Sequence, residues 1–204
     1  MNIENIKNTL KDRMPGIIEV KRASAVMIPL VEKEDGVYLL FEKRANGIRQ
    51  GGEVCFPGGR IDEGETAVQT ALRETEEELG LPESRIELLG AFDTLHNYTD
   101  VTIHTCIGRI EESALSEMNI QKEEVEQVFL VPIQFFRDHE PYVYAFDVVP
   151  DIREDFPYDM VVESPEKYNW LKGRCTVPIW NYDGHSIWGL TARIIIWFLK
   201  IFDH

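Results

Sequence analysis

A glycine-rich loop that leads into a carboxylate-rich helix is the feature that most constrains the fold of this chain. Residues 59–81 read GRIDEGETAVQTALRETEEELGL. A helix turns by about 100° per residue, so side chains three and four positions apart share a face. Glu74, Glu77 and Glu78 therefore form one strip. The strip expected to face a core contains Val68, Leu72, Thr75 and Leu79. We predict a helix over residues 65–79 with carboxylates on one face.

The carboxylate strip predicts a site for a divalent cation. Three like charges on one helical face repel one another and weaken the helix. Carboxylate oxygens are hard ligands that suit Mg²⁺ or Mn²⁺, and these ions also bind phosphate oxygens. A solvated acidic face is the plainer alternative. We favour a metal site because Gly59, Gly64 and Gly80 flank the helix, and glycine lets the backbone approach a ligand or metal closely.

The overall charge excludes nucleic acid as a partner. The chain has 204 residues, with 21 Lys and Arg against 36 Asp and Glu, which gives a net charge of −15. Non-specific binding to nucleic acid requires a basic surface instead. Residues 59–81 contain seven acidic and two basic residues, so this segment supplies −5 of the total. A bound cation would relieve much of that local repulsion.

The apolar segments and the cysteines predict a cytoplasmic protein without a membrane partner. The N-terminal residues MNIENIKNTLKDRM lack the apolar core of a signal peptide. The stretch 187–202 is the most apolar, but Arg193 and Lys200 interrupt it and it is shorter than the ~20 residues of a span. We expect a buried or interface helix there. The cysteines Cys55, Cys106 and Cys175 form no C-x-x-C pair, which favours buried thiols in a reducing compartment.

The remaining pattern predicts one domain over residues 1–204, in which strands and helices interleave. An N-terminal helix over residues 1–16 is indicated by Ile3, Ile6, Leu10 and Met14, and is closed by Pro15 and Gly16. Strands are predicted at residues 23–30, 37–41, 86–94, 101–110, 125–131 and 142–149. Residues 150–180 show little periodicity and are expected to be irregular, and a C-terminal helix is predicted over 187–202. The interleaving is not a strict alternation, so we predict an α/β fold of the α+β kind, with a mixed sheet between helices.

Residues 59–81 resemble the Nudix box, whose pattern is G-x5-E-x7-R-E-U-x-E-E-x-G-U with U apolar. The matching residues are Gly59, Glu65, Arg73, Glu74, Glu77, Glu78, Gly80 and Leu81, whereas Thr75 stands at an apolar position. The resemblance implies an α/β/α sandwich with a mixed β-sheet. It also implies hydrolysis of a nucleoside-diphosphate-linked substrate with Mg²⁺ or Mn²⁺ as cofactor. The implied metal ligands are Glu74, Glu77, Glu78 and the Gly59 carbonyl.

The resemblance further implies catalytic roles for charged residues, namely Glu77, Glu74, Arg73 and Glu124. Arg73 is expected to orient a box carboxylate, either Glu77 one turn later or Glu65, its usual partner in the family. The general base is expected to be a box glutamate or a carboxylate near the VFLVP strand. The candidates in that segment are Glu123, Glu124 and Glu126, of which Glu124 best matches the coenzyme A branch. His96 and His104 are further candidates, although a lone histidine is more often structural.

The segment before the box resembles the coenzyme A pyrophosphatase branch of this family. Residues 40–59 read LFEKRANGIRQGGEVCFPGG, close to the signature LLTxRSxxxRxxxGxVxFPGG. The departures are Phe41-Glu42 for Leu-Thr, Ala45 for Ser, and a spacing from Arg49 to Gly52 that is one residue short. Arginines in such a loop can donate two hydrogen bonds to a phosphate, although pairing with surface carboxylates is the alternative. The implied substrate-binding residues are Arg44, Arg49, Gly52, Phe56 and Gly58.

These resemblances predict a small nucleotide-type substrate, namely CoA or an acyl-CoA, cleaved to 3′,5′-ADP and 4′-phosphopantetheine or its acyl form. A Nudix pyrophosphatase for ADP-ribose or another nucleotide is one alternative. A non-catalytic nucleotide-binding module is another, but such a module would typically have lost a box carboxylate, and this chain keeps all of them. The expected partners include no nucleic acid and no membrane, and a homodimer is left open.

Overall fold

The computed structural model describes residues 2–11, 13, 16–161 and 168–202. The α-helices are α1 Ile3–Lys11, α2 Ala67–Leu79, α3 Ile133–Asp138, α4 Tyr158–Val161 and α5 Gly189–Phe202. The strands are β1 Arg22–Lys33, β2 Gly36–Arg44, β3 Val54–Cys55, β4 Gly58–Arg60, β5 Ile86–His96, β6 Val101–Glu111, β7 Val125–Pro132, β8 Tyr142–Val148, β9 Gly173–Tyr182 and β10 His185–Trp188. Each of the six predicted strands is present, with ends that differ by a few residues.

A seven-stranded mixed sheet forms the centre of the described structure. Its order is β3-β2-β1-β6-β5, with β4 also paired to β1 and β7 to β2. Strands β1 and β6 run parallel, whereas the other pairs are antiparallel. The pairing of β1 with β4 sets Ala25 opposite Gly59 and Val26 opposite Gly58. The glycine loop of the box is therefore fixed to the middle of the sheet.

Helices cover both faces of this sheet, as the predicted mixed sheet between helices requires. On one face, Ala71 and Leu79 of α2 pack with buried side chains of the central strands, among them Met27 and Leu40. On the other face, Ile195 and Phe198 of α5 pack with a second buried cluster that includes Phe41, Ile28, Phe136 and Trp180. Strands β1 and β2 contribute to both clusters, because successive side chains of a strand point to opposite faces. The predicted fold class is confirmed.

Helix α2 begins at Ala67, two residues later than the predicted start at Glu65. Thr66 is its N-cap and forms a capping box with Gln69: the Gln69 amide donates to Thr66 Oγ1 at 3.3 Å, and the Thr66 amide donates to Gln69 Oε1 at 2.9 Å. Glu65 consequently lies outside the helix. The predicted apolar strip is confirmed in part, because Thr75 and Leu79 are buried whereas Val68 and Leu72 are half-buried.

The prediction of irregular structure over residues 150–180 was wrong for α4 and β9, whereas residues 150–157 and 168–172 contain neither helix nor strand. Strand β9 is the central strand of a second, antiparallel sheet in the order β10-β9-β8, and α4 precedes residues 162–167, which lie outside the described part. Pro178 in the middle of β9 obscured the strand, because proline is rare at such positions. The partner strand β8 lies some thirty residues earlier in the chain, so local periodicity gave little indication of this pairing.

Both predicted terminal helices are shorter than expected. The C-terminal helix starts at Gly189 because Ile187 and Trp188 belong to β10. Asp183 and Gly184 both have positive φ, 47° and 80°, and this Asp-Gly turn joins β9 to β10. Helix α1 ends at Lys11 instead of residue 16, and none of its residues is buried. Met14 and Pro15 of the predicted helix lie outside the described residues. No helix in the described ranges is long and apolar enough to cross a membrane.

Gly80 ends α2 in a conformation that excludes other residues. Its φ of 62° is left-handed, and a Cβ there would lie 2.1 Å from the Asn119 carbonyl oxygen. We expect Gly80→Ala to lower the free energy of unfolding by about 3 kcal/mol or more, since backbone strain and a backbone clash combine. Gly184→Ala, with φ +80° but open space around its Cβ, should cost only about 1–2 kcal/mol. Urea denaturation measures both variants, and equal losses would contradict this account.

Candidate functional site

Arg73 is the centre of an ion-pair network at the start of the site. Its Nε donates to Glu65 Oε1 at 2.8 Å and its Nη2 donates to Glu65 Oε2 at 3.0 Å. Its Nη1 donates to Glu74 at 2.8 Å and to Glu77 at 3.2 Å. The hydrogen bonds from Arg73 and from Thr70 lower the pKa of Glu65 to about 2. One guanidinium therefore holds three carboxylates in place, and both partners considered for Arg73 in the sequence contact it.

The glycines of β4 lie directly against the carboxylates of α2. The Gly58 amide donates to Glu78 Oε2 at 2.8 Å. A Cβ on Gly59 would lie 2.4 Å from the Glu74 carboxyl carbon, so only glycine leaves room for that side chain. Burial raises the pKa of Glu74, and the hydrogen bond from Arg73 opposes the rise. The structure thus brings Gly58, Gly59, Glu74 and Glu78 together, whereas Glu77 lies at the rim with its side chain 53% exposed.

A buried carboxylate on β2, Glu42, belongs to the same cluster and was not singled out as a site residue from the sequence. Glu42 is 0% exposed. Its Oε1 accepts a hydrogen bond from Cys55 Sγ at 3.2 Å and lies 4.0 Å from Arg44 Nη1. Burial raises the pKa of Glu42, and burial together with repulsion from Glu42 raises the pKa of Glu78. Two carboxyl groups therefore share a site from which water is excluded.

The candidate general bases occupy different positions. Glu124 is half-buried and close enough to Glu42 and Glu74 for its charge to raise the pKa of both. The side chain of Glu126 is instead held by Lys43 at 2.7 Å and Asn46 at 2.9 Å. Glu123 is exposed. His96 and His104 bond to Thr102 and Thr94 on the neighbouring strands. Glu124 is thus the member of this group that faces the carboxylate cluster.

A cavity of about 440 Å³ opens beside Gly58 and Gly59. Three of its lining residues are arginines, namely Arg44, Arg60 and Arg193. In the described part of the chain, neither Arg60 nor Arg193 has an ion pair with a carboxylate. Tyr98 and Phe146 meet edge to face at 5.7 Å in the same lining. A cationic and aromatic cavity of this kind, in a chain of net charge −15, suits an anionic ligand with a ring system.

The arginine loop is only partly directed into this cavity. Arg44 lines it, and its Nε donates to the Arg49 carbonyl at 3.3 Å. The Arg49 side chain is exposed and outside the lining, so Arg49 contacts the site through its backbone. Gly52 also lies outside the lining, where its amide donates to the Arg44 carbonyl at 2.9 Å. Phe56 is 3% exposed and stacks on Phe41, so it links the cavity wall to the core.

A second cavity of about 550 Å³ adjoins the first. The two share Thr176, Arg193 and Ile194. The second cavity has a mixed wall, in which Phe92, Leu95 and Trp197 stand beside polar side chains that include Asp93. Arg193 therefore lies between a cationic compartment next to the box and a mixed one beyond it, and together they have room for an elongated ligand.

The carboxylate oxygens of this cluster suit a hard divalent cation. To bind one, the carboxylates first have to release the hydrogen-bond donors that they now contact. Within the described ranges, no three Asp, Glu, His or Cys side chains converge on one point as they stand. The physical reason is that Arg73 donates hydrogen bonds to Glu74 and Glu77, and the Gly58 amide donates one to Glu78. Two observations favour a cation nevertheless. All donors are carboxylate oxygens, and Glu42 Oε2 is buried without a hydrogen-bond partner among the described residues.

Comparison with known proteins identifies the family. The family model of the NUDIX domain matches residues 21–148. The chain belongs to the Nudix family. It is 36% identical to Nudix hydrolase 3 of Caenorhabditis elegans over 135 residues, which are 65% of this chain and 56% of that protein. It is 32% identical to the peroxisomal coenzyme A diphosphatase NUDT7 of Mus musculus over 136 residues, 65% of this chain and 55% of that protein. The match spans little more than half the length of both relatives.

A solved structure supports the Nudix fold. The crystal structure of a MutT/nudix family protein from Enterococcus faecalis superposes with a TM-score of 0.50 at 16% identity, and the match covers 100% of this chain and 70% of that one. The sequence predicted the Nudix family, but the prediction did not include Glu42, Arg60 and Arg193 as members of the candidate site. Glu42 gave only a weak local signal, because it follows the apolar run of β2 and begins the charged end of the strand. Arg60 and Arg193 gave none, because the tertiary fold brings them to the cavity.

The contact between Gly59 and Glu74 can be tested by adding a single methyl group. We expect Gly59→Ala to displace the Glu74 carboxylate, since the added Cβ meets the far end of that side chain at 2.4 Å. A flexible side chain moves at little cost, so the midpoint of thermal unfolding should stay within a few degrees of the wild type. Mn²⁺ affinity, measured by calorimetry, should fall about 10-fold or more. Unchanged affinity would mean that Glu74 has no part in binding the ion.

Proposed function

We propose that this Nudix protein hydrolyses the pyrophosphate of a nucleoside-diphosphate-linked small molecule with Mg²⁺ or Mn²⁺, and that CoA or an acyl-CoA is the substrate. The observation that carries the proposal is the arginine-lined cavity that opens beside Gly58, Gly59 and the carboxylates of α2. A cationic recess next to a cluster of carboxylates is the combination required to hold phosphates beside metal ions.

The proposed metal ligands are Glu74, Glu77 and Glu78, with the Gly59 carbonyl. When bound, the divalent ion neutralises charge on the pyrophosphate and lowers the pKa of the attacking water. In the proposal, Arg73 is a positioning residue, because its contacts at 2.8 Å and 3.2 Å hold Glu74 and Glu77 near that point. Glu65 in turn fixes Arg73 through two hydrogen bonds.

Glu124 is the proposed general base. Its half-buried carboxylate lies close to Glu42 and Glu74, and it accepts a hydrogen bond from Gln121 Nε2 at 3.3 Å. In this role Glu124 takes a proton from the attacking water. Water then adds to one phosphorus of the pyrophosphate, the bridging P–O bond breaks, and the second phosphate leaves with the bridging oxygen. The products from CoA are 3′,5′-ADP and 4′-phosphopantetheine.

Four further observations support a CoA-type substrate. CoA presents a pyrophosphate and a separate 3′-phosphate, and Arg44, Arg60 and Arg193 offer guanidinium groups to such anions. The second cavity adjoins the first at Arg193, and its apolar residues Phe92, Leu95 and Trp197 suit the methylene segments of an acyl-pantetheine chain. A relative that is 32% identical is described as a coenzyme A diphosphatase. The segment from Arg44 to Gly59 also resembles the CoA branch of the family.

Loss of one box carboxylate tests the metal-dependent mechanism. We expect Glu77→Gln and Glu78→Gln to lower kcat at least ~100-fold, since each removes a proposed ligand that supports both water activation and pyrophosphate positioning. Glu117→Gln is a control of equal charge, because Glu117 pairs with Arg85 on the surface. Turnover is measured with saturating Mn²⁺. Full activity of the wild type in excess EDTA would end the proposal of metal dependence.

The arginines are tested by comparing CoA with dephospho-CoA, which lacks the 3′-phosphate. Arg44→Ala and Arg193→Ala should raise KM for CoA about 10-fold or more, because each removes a cation from the cavity lining. The sequence predicts that Arg49 also binds the substrate, but the Arg49 side chain is exposed, so Arg49→Ala should raise KM less than the other two variants. Loss of an arginine that contacts the 3′-phosphate should raise KM for CoA more than KM for dephospho-CoA. Equal losses on both substrates would assign it to the pyrophosphate.

A substrate panel decides the class of nucleotide. Purified protein with Mn²⁺ is offered CoA, acyl-CoA, NADH, ADP-ribose, diadenosine polyphosphates and nucleoside triphosphates, and the products are identified by mass. We expect the highest kcat/KM for CoA or an acyl-CoA. A preference for ADP-ribose would keep the pyrophosphatase reaction and overturn the CoA assignment. Metal binding without turnover of any compound would favour a nucleotide-binding module.

A further inference from the structure

The side chain of Glu42 is a buried acceptor with an unused oxygen. Glu42 is 0% exposed, and its Oε2 has no hydrogen-bond partner within the part of the chain that the structure describes. Leaving a buried polar atom without a hydrogen-bond partner destabilises the folded protein, and more so when the group is charged. Native proteins therefore rarely keep such an atom unless it serves a ligand, an ion or a reaction.

The surroundings of Glu42 provide too little positive charge for the carboxylates gathered there. Strand β2 directs Glu42 to the same face as Leu40, which α2 covers, and there burial and the charge of Glu42 raise the pKa of Glu78. Cys55 Sγ and Arg44 Nη1 are both on the side of Oε1. Burial raises the pKa of both buried carboxyl groups, and the charge of Arg44 opposes that rise, whereas the charge of Glu124 adds to it at Glu42. A divalent cation would balance this excess of negative charge.

Glu42 Oε2 is also next to the proposed ion site. Glu78, which Glu42 faces, accepts from the Gly58 amide, and the adjacent Gly59 abuts Glu74. The contact between β4 and α2 therefore brings the Glu78 carboxylate and the backbone of Gly58 close to the carboxylate of Glu42. Oxygen is the donor that Mg²⁺ and Mn²⁺ prefer, and Glu42 Oε2 is a buried oxygen without a hydrogen-bond partner among the described residues.

We propose that Glu42, through Oε2, is an additional ligand of the divalent cation bound by the Nudix box. This inference rests on the proposed metal-dependent function. Its consequence is that the ion is held by the sheet as well as by α2, since Glu42 lies on β2 between Val128 of β7 and Cys55 of β3. A ligand on a central strand is rigid, so it fixes the ion relative to the cavity that Arg44 lines.

The alternative is a purely structural pair in which Glu42 and Glu78 share a proton. The two explanations predict different results for Glu42→Gln. In the structural explanation, the glutamine amide replaces the shared proton, so both stability and ion binding stay unchanged. If Glu42 is a ligand, the variant loses a negatively charged oxygen donor. Ion binding then weakens although the metal-free protein is as stable as the wild type or more stable.

The experiment measures Mn²⁺ binding to the full chain by calorimetry and by the shift in unfolding midpoint that Mn²⁺ produces. We expect Glu42→Gln to raise the Kd for Mn²⁺ about 10-fold or more and to reduce the thermal shift, with an equal or higher midpoint in EDTA. The control is Glu87→Gln, which removes the same charge from an exposed position on β5 paired with Arg109. The control should retain the wild-type Kd.

The outcomes separate this inference from the proposed function. Wild-type Mn²⁺ affinity in Glu42→Gln overturns the role of Glu42 and leaves the metal-dependent hydrolysis intact. Absence of Mn²⁺ binding in the wild type overturns both. If Glu42→Gln does not fold, a crystal structure of the wild-type protein with Mn²⁺ decides instead. Glu42 Oε2 within about 2.5 Å of the ion supports the inference, whereas an ion bound by box residues alone overturns it.

Discussion

Electrostatic repulsion between carboxylates packed at the junction of α2, β4 and β2 is the constraint on which the site depends. Arg73 offsets it at the exposed side through Glu65, Glu74 and Glu77. At the buried side, Glu42 and Glu78 lie close together, and the guanidinium of Arg44 is 4.0 Å from Glu42. Carboxylates are costly to bury unless they are paired or bind a metal. The proposed divalent cation would relieve this repulsion and so stabilise the protein as well as serve the proposed reaction.

The framework that maintains this repulsive arrangement is the sheet and its covering helices. Strand β4 is paired with β1, so Gly58 and Gly59 cannot retreat from α2. The left-handed Gly80 and the Asn119 backbone fix the far end of the helix. Apolar clusters on both faces of the sheet stabilise the fold and offset the destabilising repulsion within the charged site. The cavity lies where the box loop, β9 and α5 meet, so the second sheet and the C-terminal helix complete the site that the box begins.

Local patterns predicted much of the fold because they depend on residues that are close in sequence. Strand alternation located β1, β2 and β5 to β8, and helical spacing located α2. The Thr66–Gln69 capping box and the Asp183–Gly184 turn were local signals as well, and they would have corrected the start of α2 and of α5. Strand β9 differed, because Pro178 broke its pattern and its identity as a strand depends on pairing with β8.

The sequence by itself determined the Nudix family, the mixed sheet between helices and the residues of the box. All of these follow from spacing along one continuous segment, in which the helical period fixes which carboxylates share a face. Only the tertiary structure decided that Glu42 lies beneath Glu78, that Arg44 faces the cavity while Arg49 faces solvent, and that Arg60 and Arg193 join the same lining. The physical reason is that burial and charge pairing arise between elements distant in sequence. The packing of the sheet and helices determines which of these elements come close together, and the periodicity of a short segment carries no information about that packing.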